Sequence, residues 1–339
     1  MTWYVRPAVA GDIDALLELA HLTGGGFTNL PPDRDALARR LAKSDASFGA
    51  AIAAPVDEMY LLILEQTSTR RIGGTAVVFS RVGSEWPFYS YKLSSVSQTS
   101  RELGTTFSMQ LLNLVTDHDG ASEVGGLFLH PDLRTGGLGK LLARSRYLFI
   151  AQSRERFGDR LLAELRGVMT DDGNSPFWDG LGKRFFGMDF RAADKFNSLN
   201  GNQFIADLMP KHPIYVALLP ESARAVIGLP HDRGAPAMRM LEAEGFRFEN
   251  YVDVFDGGPT MTVRTDMVRT VVESRAAHVT ELAETGAGLT RSLLASGRLG
   301  EFRSWIGHAE RAGASLILPR GEAEVMDVKL RDEVRHVGF

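Results

Sequence analysis

The sequence contains no cysteine. That absence excludes disulfides, thiolate metal sites and a covalent cysteine nucleophile, and it fits a cytoplasmic protein. No apolar run approaches the roughly 18–20 residues of a membrane span, so no membrane partner is expected. The opening residues MTWYVRPAVAGDID lack a basic segment followed by an apolar core, and no signal peptide is expected. Excess charge is also missing: 38 Lys and Arg stand against 42 Asp and Glu, a formal net of −4. That balance gives no electrostatic reason to expect nucleic acid. The arginines at 144, 146, 154 and 156 fall on a helical stretch, where a solvated face is the expectation.

What is present is an ordinary globular composition, 44% hydrophobic and 24% charged over 339 residues. This length suits two domains, or one large domain with an appendage. Residues 2–7 read as a first strand, and GDIDALLELAHL as a helix with Asp12 or Asp14 near its start. GGGFTNLPP (24–32) reads as a loop before a second helix, DRDALARRLAK. Strands are expected in 58–66, 73–81, WPFYSYKLSSVS and FSMQLLNLVT. SEVGGLFLHP (122–131) has the texture of a buried strand, 139–156 of a helix, and RLLAELRGV (160–168) of the next strand. NSPFWDGLGKRFF has Asn174 or Ser175 to cap a helix begun by Pro176. GAPAMRMLEAEGFRFENYVDVF repeats the pattern of short helix, turn and aromatic strand, so partial internal duplication is one reading. Past DGGP (256–259) short strands and turns dominate, with SLILPRGEAEVMDVKL the clearest strand segment. The expected division is 1–258 for the main domain and 259–339 for a small β-rich C-terminal domain.

The segment HPDLRTGGLGKLLARSRYLF (130–149) places glycines at 136, 137 and 139 between a buried strand and an amphipathic helix. A loop there gathers free N–H groups at the positive end of a helix dipole, which suits an anion. The spacing is not G-x-G-x-x-G, and Lys140 is followed by Leu141 rather than the Ser or Thr of a Walker loop. What remains is R-x-x-G-x-G, with Arg134, Gly137 and Gly139. This resembles the pyrophosphate loop of the GCN5-related N-acyltransferases.

Longer strings narrow the resemblance to the arginine N-succinyltransferase family. They are TGGGFTNLP (23–31), DHDGASEVGGLFLHPDLR (117–134), ELRG (164–167), SPFWDGLGKRFFGMDF (175–190), LMPKHPIY (208–215) and EGFRFENYVDVFDGGPT (244–260). The likeness runs across residues 3 to 260 and is thinner beyond. Two departures are visible: the family's D-P-D-W-R stands here as HPDLR, and its Arg after Tyr-x-Tyr is Lys92. The resemblance implies an α+β acyl-CoA N-acyltransferase fold, with a central mixed sheet flanked by helices. It implies the first reaction of a bacterial arginine-degradation pathway, in which succinyl-CoA succinylates the α-amine of L-arginine. Succinyl-CoA is then a cosubstrate and no permanent cofactor is implied. Ornithine, another acyl donor, or a noncatalytic CoA-binding subunit are the alternatives. The family also implies a homo-oligomer, or a hetero-oligomer with a related subunit.

By the same resemblance Leu127 contacts the acyl-CoA, which suits a main-chain role because leucine offers no side-chain chemistry. His231, in GLPHDRGAPA, matches the family's proton donor. An imidazole, with an ordinary pKa of about 6.5, can give and accept a proton near neutrality. From sequence alone, a His after Pro230 is equally an ordinary turn residue. Asp232 could orient it or cap the following helix. Asp117-His118-Asp119 has metal-like spacing, but adjacent residues on one loop rarely close a site, and no metal is expected. His212 reads as structural. For the substrate charges, Glu164, Arg166, Lys92, Lys183 and Arg184 are candidates, each with an ordinary ion pair as the alternative.

Overall fold

WYVRP forms the strand Trp3–Pro7, which pairs antiparallel with Met59–Gln66 on one side and Arg303–Ala312 on the other. In the computed structural model, residues 2–23, 29–200 and 203–339 are described. The glycines of the loop expected at 24–32 lie outside them. Contacts divide the chain into two units: Met1–Ser80, Ser122–Asp159 and Arg264–Phe339 form one, and Arg81–Ala121 with Arg160–Val263 the other.

In the first unit Trp3–Pro7, Met59–Gln66, Ile72–Phe79 and Ser122–Leu129 lie side by side, all antiparallel. Met59–Leu64 and Gly73–Val78 are buried throughout, as expected of strands covered on both faces. Ile13–Leu22 and Arg34–Gly49 pack Leu16, Leu19, Leu37 and Leu41 onto Met59, Leu61, Ile63 and Val77. The second of these helices begins where Asp33 accepts the N–H of Ala36 at 2.7 Å, a side-chain cap. Asp12 does not cap the first; it is buried and takes both ends of the Arg6 guanidinium, at 2.8 and 2.9 Å.

The strands Arg275–Ala283, Thr290–Ser296, Arg303–Ala312, Ser315–Pro319 and Glu333–Gly338 close on themselves, because Thr290–Ser296 pairs with both Arg303–Ala312 and Glu333–Gly338. Only Arg275–Ala283 with Ser315–Pro319 is parallel. Trp305, Leu294, Leu316, Leu318 and Val334 fill the interior of this five-stranded barrel. The clearest expected strand segment is half helix: after Ser315–Pro319 the chain turns into Arg320–Met326. Glu, Ala and Met are good helix formers, and the i, i+3 pair Ala323 and Met326 buries its apolar edge in the barrel cluster.

The arginines expected on a solvated face are mostly buried. Helix Leu138–Gln152 is buried at every residue from Leu141 to Ile150, so it has no open face there. Arg144 donates to Thr270 Oγ1 and the Gly338 carbonyl, each at 2.8 Å. Arg156 donates to the Tyr60 hydroxyl at 3.0 Å and the Ser47 carbonyl at 3.2 Å. Arg154 stays at the surface, paired with Asp266 and Asp159. The periodicity of 139–156 marked a helix correctly but could not show that neighbouring backbone would supply acceptors for guanidiniums.

In the second unit the hairpin Ser90–Ser100 with Thr105–Val115 pairs through its first strand with Arg247–Asp253, which in turn pairs with Pro259–Arg264. Ser175, not Asn174, caps the helix Pro176–Gly180 by accepting the Trp178 N–H at 3.1 Å. Trp178 stacks between Phe186 and Phe255, with centroids 5.3 and 5.5 Å away. Beyond Phe186 the chain forms another helix, Phe190–Asn200, whereas Ala235–Ala243 is followed by the strand Arg247–Asp253. The two segments read as similar therefore part company after the turn.

Candidate active site

The first unit carries the glycine loop. Strand Ser122–Leu129 ends at His130, and a single turn, Pro131–Leu133, leads into it. Arg134 donates from Nε to the Leu129 carbonyl at 3.3 Å, which folds the loop back on its own strand. Gly136 and Gly137 have φ of +66° and +86°, a left-handed conformation that side chains resist. Gly137 is the N-cap of Leu138–Gln152 and has no side chain to accept the first-turn N–H groups. Gly139 is different: its φ is ordinary, and an added Cβ would stand 3.7 Å from Leu129 Cδ2, a normal contact. The fold does not require glycine at 139, whereas a phosphate approaching the backbone would. The donor set, open N–H groups at the positive end of a 15-residue helix, fits a diphosphate.

The strand before the loop is interrupted. Thr75 faces Phe128 and Val77 faces Gly125, so Gly126 and Leu127 together oppose the single residue Ala76. This is a β-bulge, and it takes the extra residue's backbone out of the ladder with Ile72–Phe79. Gly126 has φ +57°, a Cβ on it would lie 2.6 Å from Val77 Cγ2, and its carbonyl accepts the Thr75 hydroxyl at 3.0 Å. Arg146 donates to the Gly125 carbonyl at 3.3 Å, tying the glycine-loop helix to the strand beside the bulge. Glu123, on the same strand, is pushed up to about 7 by burial, against the pull of Arg146 and Arg40.

The second unit carries His231. Its backbone N–H donates to the Arg166 carbonyl at 2.7 Å, and its Nδ1 accepts the Arg233 N–H at 3.0 Å. An accepting Nδ1 leaves the proton on Nε2, so the ring presents an Nε2–H donor. Asp232 neither orients the ring nor caps the next helix with its side chain; its carbonyl accepts the Ala235 N–H, and His231 caps its own turn.

Beneath this turn one carboxylate joins two backbone segments. Asp256 Oδ2 accepts the Gly167 N–H at 2.9 Å and Oδ1 the Gly258 N–H at 2.8 Å. Gly167 bridges to Pro230, and the Gly257 carbonyl accepts the Gly228 N–H at 2.8 Å. Both ends of the His231 turn are therefore tied to backbone that Asp256 holds together. A Cβ on Gly167 would collide with the Asp256 carbonyl, and one on Gly258 with the Leu165 carbonyl, so both positions require glycine. Asp253 Oδ1 accepts the N–H groups of Phe255 and Asp256, at 2.7 and 2.8 Å. Burial and then the Asp256 charge push Asp253 up to about 7. Asp256 is also raised by burial but is held back by its two N–H donors and by Arg166.

The other candidates scatter. Asp117 accepts the Tyr251 hydroxyl at 2.7 Å, Asp119 accepts the Phe88 N–H at 2.7 Å, and the buried His118 ring packs 4.3 Å from Tyr251. Asp117 and His118 thus both meet Tyr251 while Asp119 turns to Phe88, and no group of metal-ligating side chains forms among the described residues. Burial, and next Arg160, hold the His118 pKa below its ordinary value. Lys92 donates to Tyr251 at 2.8 Å, Lys183 pairs with Asp179 at 3.3 Å, and Arg184 and His212 are exposed. Glu164 is half-buried, and Arg166 is exposed with its charge near Asp256 and Asp194.

Comparison with known proteins bears on the whole chain. The family described as arginine N-succinyltransferase beta subunit matches residues 3–270, and its C-terminal domain family matches 275–338. The chain belongs to this family. Arginine N-succinyltransferases of Enterobacter sp. (strain 638) and Salmonella paratyphi B are each 39% identical over 334 residues, covering 98% of this chain and 96% of theirs. A solved structure, arginine/ornithine succinyltransferase subunit AI from Pseudomonas aeruginosa, matches with a TM-score of 0.88 at 31% identity, covering 99% of this chain and 98% of that one. The fold is accordingly the acyl-CoA N-acyltransferase fold, and the protein is an acyltransferase, a class whose cosubstrate is an acyl-CoA. No helix among the described residues is long and apolar enough to cross a membrane.

The sequence offers the loop, Leu127 and His231 as candidates, and gives no direct sign of the bulge, of Glu123 or of the Asp253–Asp256 pair. The doubled glycine at 125–126 was the available signal for the bulge, and DVFDGGP for the pair.

Proposed function

We propose that the protein transfers the succinyl group of succinyl-CoA to the α-amine of L-arginine, releasing Nα-succinylarginine and free CoA. The observation that carries this reading is the near-full-length family match of a chain that also has the Arg134–Gly137–Gly139 loop opening a buried helix. The loop N–H groups take the pyrophosphate. The bulge at Leu127 offers a main-chain N–H to the thioester carbonyl, where negative charge develops as the amine attacks.

The reaction forms one C–N bond and breaks one C–S bond. The amine is mostly protonated at neutral pH and must lose a proton before or during attack. The departing thiolate gains one, and the Nε2–H of His231 is its donor. Direct attack suits a chain without a cysteine to hold the acyl group. Ornithine is the second reading for the acceptor: the Pseudomonas aeruginosa relative is called an arginine/ornithine succinyltransferase subunit, and this chain has Lys92 where the family pattern has Arg. The naming of relatives as subunits supports an oligomer, of one chain or with a related one. A CoA thioester and a free amino acid as substrates support a cytoplasmic location.

Thiol release from succinyl-CoA tests the reading, with L-arginine, ornithine and acetyl-CoA compared, and the protein itself contributes no thiol. Arginine-dependent release that is lost in His231→Ala is the expected result. Release that persists in that variant discards the proposed donor, and no release with any amine discards the reaction.

A further inference from the structure

The hairpin of Ser90–Ser100 and Thr105–Val115 carries apolar side chains on the face turned away from its own core. Its inner face begins in the usual way: Tyr91 and Leu112 are buried, with Leu93 and Leu114 packed beside them in the core of the second unit. Farther out this face turns polar. Ser97 stands opposite Ser108 and Thr99 opposite Thr106, with their hydroxyls hydrogen-bonded at 2.8 and 2.9 Å. Side chains alternate between faces, so the outer face carries Phe107, Val96 opposite Met109, and Leu111 opposite Tyr215 of the short strand Ile214–Tyr215. Phe107 is 64% exposed and Tyr215 37%, and Val96, Met109 and Leu111 are half-buried. The outer edges are bare as well: among the described residues, Arg247–Asp253 pairs only as far as Lys92, and Ile214–Tyr215 reaches only Leu111 and Leu112.

An antiparallel sheet with one solvated face puts its apolar residues toward its own core. Here five of them line the other side, the mark of a surface that something else covers. The strands supply no charge there, because 93–100 and 105–115 contain no Asp, Glu, Lys or Arg. Such a face offers a charged partner nothing to pair with, yet it meets an identical face without setting like charges against each other. Homodimer interfaces are the more apolar class, and a two-fold axis lets one patch serve on both sides. On the reading that the protein is an oligomer, we infer that the outer face of this hairpin docks on the same face of a second copy of the chain.

Sedimentation velocity of the full chain over a concentration series tests this, with the unmodified protein, Phe107→Glu and Ser108→Glu. Phe107→Glu is expected to weaken self-association at least about 100-fold, because it places an unpaired carboxylate in an apolar contact. Ser108→Glu, one residue along but on the opposite face, should associate as the unmodified protein does. Both positions are exposed, so both variants should keep the unmodified circular dichroism. In Met109→Cys a short bismaleimide should join two chains, and the protein has no other thiol to react. Phe107→Glu associating as tightly as the unmodified protein overturns the inference and leaves the oligomer standing. Equal weakening by the two glutamates, or a dimer of Met109→Cys that does not cross-link, does the same. Assembly only with a related subunit overturns the second copy as the occupant. A chain that is monomeric at every concentration overturns the oligomer and the inference with it.

Discussion

The backbone N–H of His231 donates to the carbonyl of Arg166 at 2.7 Å. The imidazole is thus fixed by its own main chain to the segment that follows strand Arg160–Glu164, and its position depends on whatever holds Arg166 and Gly167 still. Asp256 does so through the Gly167 N–H.

Asp256→Asn leaves one oxygen for two N–H groups and turns an amide donor toward the other. A loss of about 1–3 kcal/mol in stability is expected, with kcat falling by about 10²-fold through misplacement of the proton donor. Steady-state kinetics of the cycle with His231→Ala checks this: the double variant should be no slower than His231→Ala alone. Independent, multiplying losses would mean that Asp256 acts elsewhere.

Gly126→Ala asks a side chain to adopt a left-handed φ and presses a methyl on Val77. We expect about 2 kcal/mol of destabilisation and a fall in kcat as the bulge flattens and Leu127 returns to the ladder. Chemical denaturation and turnover measured together would show both. Normal turnover in a destabilised protein would remove the bulge from the reaction.

Arg156→Ala strips a donor from Tyr60 and from the Ser47 carbonyl, both buried. Each orphaned group costs about 1–3 kcal/mol, so the melting temperature should drop by several degrees. Arg134→Ala, at an exposed position, should leave the melting temperature unchanged and weaken CoA instead. Equal melting temperatures in the two variants would contradict the buried network.

Asp253 has its pKa raised in the fold to about 7, above its ordinary value of 3.8. The unfolded chain therefore releases this proton first, and the contribution to stability declines between those two pH values before levelling. Asp253→Asn resembles the protonated form and keeps both backbone bonds through its one oxygen. Its melting temperature relative to the unmodified protein should rise from pH 4 to 7 and then stay constant. A difference independent of pH would show that Asp253 is ionised throughout.

Much of this was legible in the residues. The glycine loop announced itself because Gly136 and Gly137 take φ above zero, where glycine is favoured, and Gly139 follows them at the start of the helix. Ser175 and Pro176 marked a helix start because capping is local chemistry. Arg144 and Arg156 were misread because their acceptors, Gly338 and Ser47, come from distant stretches that periodicity does not see. The helix after Ser315–Pro319 was hidden because its seven residues, Arg320–Met326, are too few to show a helical period. Asp256 gave only a turn-like pattern, and its partner Gly167 is brought to it by the tertiary fold.

The pairing of Tyr4 with Trp305 has a bearing on how the chain is made. A ribosome delivers Trp3–Pro7 first, and its second neighbour, Arg303–Ala312, arrives only after both inserted segments of the other unit have emerged. Until then the strand has one bare edge and Tyr4 lacks the barrel cluster that buries it. Contacts of such long sequence separation slow folding and leave an aggregation-prone edge exposed in the nascent chain. Refolding of this unit should therefore be slow and yield-limited at high protein concentration, and the inserted unit should acquire its structure during synthesis, before its host.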